Sequence, residues 1–349
     1  MDRRAEAKKA RQDNPVLGKR IWLERRILLS GMSGDLLEKR RRFSEQRLLL
    51  LRKRVAKIQE LSGQPGLSIY VTGSYGRLEA HSKSDLDLFF VSSGDHPIDR
   101  TTKILIDAEL IRVVKELGFP PFSNDAQYLE IHDLREMLAK LGGAEDDFKN
   151  FFTARMLLLL ESRPVFGDDV YKDILRKIID AYFRDFHDHT GDFRPLFLVN
   201  DVLRFWKTLC LNYENRRNLP QDRANKNKHH LKNLKLKFSR QLICFSTIIP
   251  LFASRTNSPA KVLTLAEVPP LQRLANLAKT REQEEFYNHL VEFYEAFLSV
   301  TARPDIIAWI GNKRNRKTIF PRADEFGATM FSLLTATLKA TDDLRFLII

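Results

Sequence analysis

The stretch Val71-Thr-Gly73-Ser74-Tyr-Gly76-Arg77 is followed, with ten residues between Ser74 and the next acid, by Asp85-Leu-Asp87-Leu-Phe. A glycine-serine corner that turns a strand into a helix aims backbone N–H groups and a hydroxyl outward, a place for phosphate oxygens. Asp85 and Asp87, two apart on a strand, send both carboxylates from the same face. Two carboxylates aimed at one point repel unless a cation lies between them. Oxygen-only ligands, without histidine or cysteine, select a hard ion such as Mg²⁺ or Mn²⁺. A phosphate cradle beside such a dyad is equipment for phosphoryl or nucleotidyl transfer, where positioning and charge neutralisation carry most of the catalysis. A solvent-facing strand gives the same Asp-x-Asp alternation, and the adjoining Gly73-Ser74 turn is what favours a metal.

The elements that must hold these groups are legible in the spacing. Leu36, Leu37, Phe43, Leu48, Leu51, Val55 and Ile58 recur every three to four residues, a helical period, between Ser33 and Gly63. After Gly63-Gln-Pro-Gly66, short β-branched or apolar runs predict strands over 67–71, 85–91 and 127–131, with helices over 104–117 and 134–141. From Asp146 onward the period is helical almost throughout. Val202, Phe205, Trp206, Leu209, Cys210 and Tyr213 mark one helix; Leu231, Leu234, Phe238, Leu242, Phe245 and Ile249 mark another. Residues 218–228 are the one long polar linker. The expected fold is therefore α+β: basic N-terminal helices over 1–62, a small mixed β-sheet core with flanking helices over 63–145, and an α-helical bundle domain over 146–349.

Composition narrows the class. The 349 residues are 43% apolar, enough for a core, and the apolar runs, such as 156–160, fall short of the ~20 residues a membrane span needs. The first twenty residues carry no signal-peptide pattern. Two cysteines, Cys210 and Cys244, exclude a disulfide scaffold and suit a reducing cytoplasm. The net charge of +13 is uneven: residues 1–60 carry +10 and residues 216–240 carry +8. Such islands fit anionic partners, nucleotides or nucleic acid, or else form solvated helix faces. The eight histidines form no ligand set, and no Walker-type loop, His-Glu-x-x-His or Gly-x-Ser-x-Gly is present.

The pattern of a hydrophobic residue, Gly73-Ser74, a ten-residue gap and Asp85-Leu-Asp87-Leu resembles the signature of the DNA-polymerase-β-type nucleotidyltransferase superfamily. Gly-Ser-Tyr-Gly-Arg followed by Ser-Asp-Leu-Asp-Leu looks most like the amino-terminal domain of bacterial PII uridylyltransferase and its relatives, although those enzymes usually carry a second glycine where Ser74 stands. The resemblance is specific over 67–92 and suggestive over 93–260. It implies a Mg²⁺- or Mn²⁺-dependent enzyme with two ions, a nucleoside triphosphate substrate and a third carboxylate on a nearby strand. Leu129-Glu130-Ile131 fits that place, since an isolated acid in an apolar strand is costly without a cation; Asp125 and Asp133 are alternatives that also read as turn or N-cap residues.

Arg77 either reaches phosphate or pairs with Glu79 or Asp85. Arg155, in an apolar helix, either serves the site or pairs with a core carboxylate. Lys235 and Ser239, four apart, match by resemblance the lysine and serine that a following helical domain supplies to the triphosphate; the other reading is a solvated basic face. The acceptor hydroxyl belongs to a protein side chain, by likeness to uridylyltransferase, or to RNA or a second nucleotide. The rival readings are a non-catalytic binding module on the same fold and a synthase of cyclic or linear oligonucleotides.

Overall fold

The computed structural model describes residues 35–93, 97–122, 129–188, 191, 193–218, 223–254, 257–338 and 347. Most of the N-terminal basic island, Lys8 included, and Asp125 lie outside them. The fold is α+β, with one four-stranded mixed sheet in the order β3-β2-β1-β4 and helices around it.

Helix α1 (Asp35–Val55) leads to β1 (Leu67–Thr72), the four-residue turn α2 (Gly73–Gly76), β2 (Asp87–Ser92), α3 (Arg100–Glu116), β3 (Ile131–Asp133) and α4 (Leu134–Ala139). Strand β1 runs antiparallel to β2 and β4 (Arg163–Phe166), whereas β3 runs parallel to β2. The alternation of β1 and β2 sorts two cores. Ile69, Val71, Leu88 and Phe90 face a core closed by Leu48, Leu51 and Val55 of α1 and Ile106, Leu110 and Val113 of α3. Tyr70, Phe89 and Val91 face the other way, into a core shared with the large helices beyond residue 150. Tyr70 and Phe89 stack with ring centroids 5.7 Å apart across the β1–β2 pair.

That second core is built from α5 (Phe151–Glu161), α6 (Asp168–Tyr182), α7 (Leu196–Arg217), α8 (Arg223–Lys235), a π-helical turn (Leu236–Arg240), α9 (Gln241–Ala253), α10 (Pro270–Ala275), α11 (Arg281–Thr301), α12 (Ile306–Gly311) and α13 (Lys313–Leu338). The run Asn225–Ala253 is by length and composition apolar enough to cross a membrane. Here its Leu234, Phe238, Leu242, Ile248 and Ile249 are buried among the other helices.

Three expectations change. The sheet takes β4 from residues beyond 145, so sheet and bundle are interleaved rather than split there. The expected linker over 218–228 is helical from Arg223. The third strand starts at Ile131, where the apolar-run reading places its end.

Candidate active site at the Gly73 turn

Thr72, the last residue of β1, pairs in register with Asp87, the first residue of β2. The chain then turns at Gly73 with φ +65°, a conformation that favours glycine. A Cβ there would stand 2.8 Å from Asp87 Oδ2, so the absence of a side chain is what lets the carboxylate lie over the turn. Gly76 is required for a different reason: its Cβ would fall 1.9 Å from the carbonyl oxygen of Glu161, where the end of α5 presses on the turn. The Arg163 Nε–H donates to the Gly76 carbonyl at 3.1 Å and fixes the same contact from β4.

Asp85 precedes β2 rather than lying within it. The loop before it is closed on itself: the His81 N–H donates to Ser84 Oγ at 2.9 Å and the Ser84 N–H to the His81 carbonyl at 2.9 Å. Asp85 and Asp87 are both exposed. Even so, the protein around Asp87 pushes its carboxyl above the usual range, first by desolvation and then through Glu161 and Asp85, with Arg240 and Lys235 opposing. Lys235 shows the mirror image. Its exposed ammonium is pushed down by desolvation and by Arg240 and Arg77, while Asp85 and Asp87 hold it up. The two walls of the site, the sheet corner and the junction of α8 with the π turn, meet through Glu161, whose carbonyl abuts Gly76 and whose carboxylate takes Arg240.

The π turn determines which cations share that wall. A uniform α-helix places Lys235 and Ser239 on one face; the wider turn of Leu236–Arg240 moves the repeat on by about one residue. Arg240, five residues on, therefore joins Lys235 in the field of Asp87. Ser239 is buried, and its hydroxyl donates to the Lys235 carbonyl at 3.0 Å, which corrects its expected role toward the triphosphate.

Arg77 is corrected in the same way. It is buried, its Nε–H donates to Glu79 Oε2 at 2.7 Å, and its Nη1 bonds Glu161, so it is committed to carboxylates inside the protein. Glu161 also accepts from Arg240 Nη1. Although burial works to raise its pKa, Arg240 and Arg77 together hold Glu161 below the usual carboxylate range. The Tyr294 hydroxyl, on α11, donates to Glu79 Oε2 at 2.9 Å and ties the network to the helical core. Residue-type reasoning passed over Glu161, although an acid closing the apolar run 151–161 carried the signal: a buried charge there needs cations.

Glu130 is exposed and lies just before β3, so the argument from an acid inside an apolar strand does not apply to it. His132 pairs with Val91, and alternation carried back from His132 puts Glu130 on the sheet face that bears Asp87. Glu130 is also near enough to His132 to oppose the desolvation that lowers that imidazole's pKa. Among the described residues no three acids, histidines or cysteines already stand close enough together to form a metal site. Asp133 caps α4, accepting from the Arg135 N–H at 2.7 Å. Arg155 takes the core-carboxylate reading: it is buried, forks onto Asp146 at 2.7 and 2.6 Å, and reaches Tyr182 Oη at 2.7 Å.

No curated protein matches the chain. Residues 51–177, which contain all four strands, the Gly73 turn, Asp85, Asp87, Glu130 and Glu161 but neither Lys235 nor Arg240, match the family described as Nucleotidyltransferase domain.

Proposed function

We propose that the chain transfers a nucleoside monophosphate from a nucleoside triphosphate to a hydroxyl acceptor, with release of pyrophosphate. The observation that carries this reading is that Glu161, whose carbonyl abuts the end of the Gly73 turn, holds Arg240 of the helical region, so that Arg240 and Lys235 act on Asp85 and Asp87 of the family-matched segment. A polyanionic triphosphate needs such cations, and its counter-ions need such carboxylates. Asp85 and Asp87 suit Mg²⁺ or Mn²⁺ by donor chemistry: oxygen only, solvent-accessible, with Asp87 partly desolvated beside the like charges of Asp85 and Glu161. They would hold it; Glu130, on the same sheet face but not clustered with them here, is the further acid that the resemblance implies. When bound, divalent ions neutralise phosphate charge and favour ionisation of the acceptor hydroxyl.

The chain's own groups then have separate tasks. Lys235, Arg240 and the Gly73-Ser74 corner bind the triphosphate and align its α-phosphorus. Glu130 takes the proton of the acceptor hydroxyl. The acceptor oxygen bonds to the α-phosphorus as the bond from that phosphorus to the bridging oxygen breaks, and the electron pair leaves with pyrophosphate. The uridylyltransferase likeness points to a protein hydroxyl as acceptor, and the basic islands point to a polynucleotide.

The test is pyrophosphate release from each of the four triphosphates with MgCl₂. One triphosphate should support turnover, and Asp85→Ala/Asp87→Ala should reduce it by about 100-fold or more. Equal release by both proteins, or none by either, would exclude the assignment; the second result is that of a non-catalytic module.

A further inference from the structure

Helix α8 carries positive charge outward from its junction with the π turn. Lys228, Lys232 and Lys235 stand four and three residues apart, so they share one helical face, and all three are exposed. The helix buries other positions: Leu234 enters the core, and Asn227 lies against α12, where a Cβ on Gly311 would come 2.5 Å from its side-chain amide. None of the three lysines has an ion-pair partner among the described residues. The sequence has no Asp or Glu between Asp222 and Glu267.

The row has an inner and an outer end. Lys235, at the inner end, is in the field of Asp85 and Asp87. Lys232, farther out, is partly desolvated and is repelled by Lys228 and by Arg216 of α7. At 1.5 Å per residue the three ammonium groups span about 10 Å of helix. Beside them the rings of Tyr213 and His229 lie with centroids 6.3 Å apart and planes tilted by 50°, two aromatic faces next to the charges. Cations in a row with neighbouring rings are how proteins hold single-stranded nucleic acid: phosphates follow the charge and bases stack.

We propose that the Lys228–Lys232–Lys235 row is the path by which a single-stranded polynucleotide reaches the carboxylates, its terminal hydroxyl being the acceptor. A flat anionic membrane would meet the outer charges but could not follow the row inward to the π turn, where Arg240 joins Glu161, and a folded acidic protein presents no chain end to the inner lysine. The use of the terminal hydroxyl rests on the transfer proposed above; the binding does not.

The test is fluorescence anisotropy with end-labelled RNA and DNA of one sequence, each of about 15 nucleotides, without triphosphate or divalent ion and over a KCl series. Both polymers should bind, or RNA should bind more tightly if the 2′-hydroxyl is read. Lys228→Ala/Lys232→Ala should weaken binding by about tenfold or more and flatten the logarithmic salt slope by about 1.4. Lys172→Ala, on the distant helix α6, should match the wild type, and circular dichroism should show all three proteins equally folded. Equal affinity in wild type and double variant overturns the proposal. So does a preference for phosphatidylserine vesicles or polyglutamate over both oligonucleotides. Magnesium-dependent pyrophosphate release without oligonucleotide affinity overturns this inference alone. Oligonucleotide affinity with no Asp85/Asp87-dependent release overturns the transfer reading alone.

Discussion

At the scale of the residue, Asp87 is held in a form it resists. Desolvation and the neighbouring Glu161 and Asp85 raise its pKa, so ionisation is harder in the folded chain than in the unfolded one. The linkage follows: a raised acid costs the fold stability as pH rises through its folded pKa. Asp87→Asn should therefore raise the melting temperature at neutral pH while abolishing pyrophosphate release. MgCl₂ should raise the melting temperature of the wild type and leave that of the variant unchanged. On acidification, the Mg²⁺-dependent shift should fade at a higher pH than an unperturbed aspartate would give. Thermal denaturation with and without MgCl₂ across a pH series checks all three.

At the scale of the element, the π turn between α8 and α9 selects Lys235 with Arg240 rather than Lys235 with Ser239. Lys235→Ala and Arg240→Ala should each raise KM for the triphosphate by about tenfold or more, the cost of a lost charge-assisted contact. Ser239→Ala should change it by less than about threefold, because its hydroxyl is already spent on the Lys235 carbonyl. Steady-state kinetics on the three variants separates the alternatives. The contrast also shows where sequence reading stops. β1, β2 and α3 are legible because apolar period and turn residues agree there. A π turn adds about one residue to a helical repeat without changing composition, so nothing in Leu-Lys-Phe-Ser-Arg announces it. β4 was missed for a similar reason: four residues with Pro164 among them carry too little alternation, and only pairing with β1 makes them a strand. Arg77 was legible as a cation but not as a buried one, since its second partner, Glu161, lies eighty-four residues away.

At the scale of the molecule, sheet and helices form one body. Tyr70, Phe89 and Val91 share their core with α5–α13, and Arg77, Glu79, Glu161, Arg240 and Tyr294 link the turn, α5, the π turn and α11 in one buried charge network. Glu161→Gln leaves Arg77 and Arg240 short of their common partner and should cost about 3 kcal/mol or more of stability. Because β1 and β2 contribute to both cores, that loss should appear as a shift of a single unfolding transition rather than as a separate early step, in denaturant titrations followed by circular dichroism and tryptophan fluorescence together. The placement of β4 adds an order in time. As the chain leaves a ribosome, β1 and β2 emerge early, but the outer edge of β1 stays open until Arg163–Phe166 has been made. The nascent sheet must wait for α5, and the Gly73 corner for Glu161 at its end, before either can set.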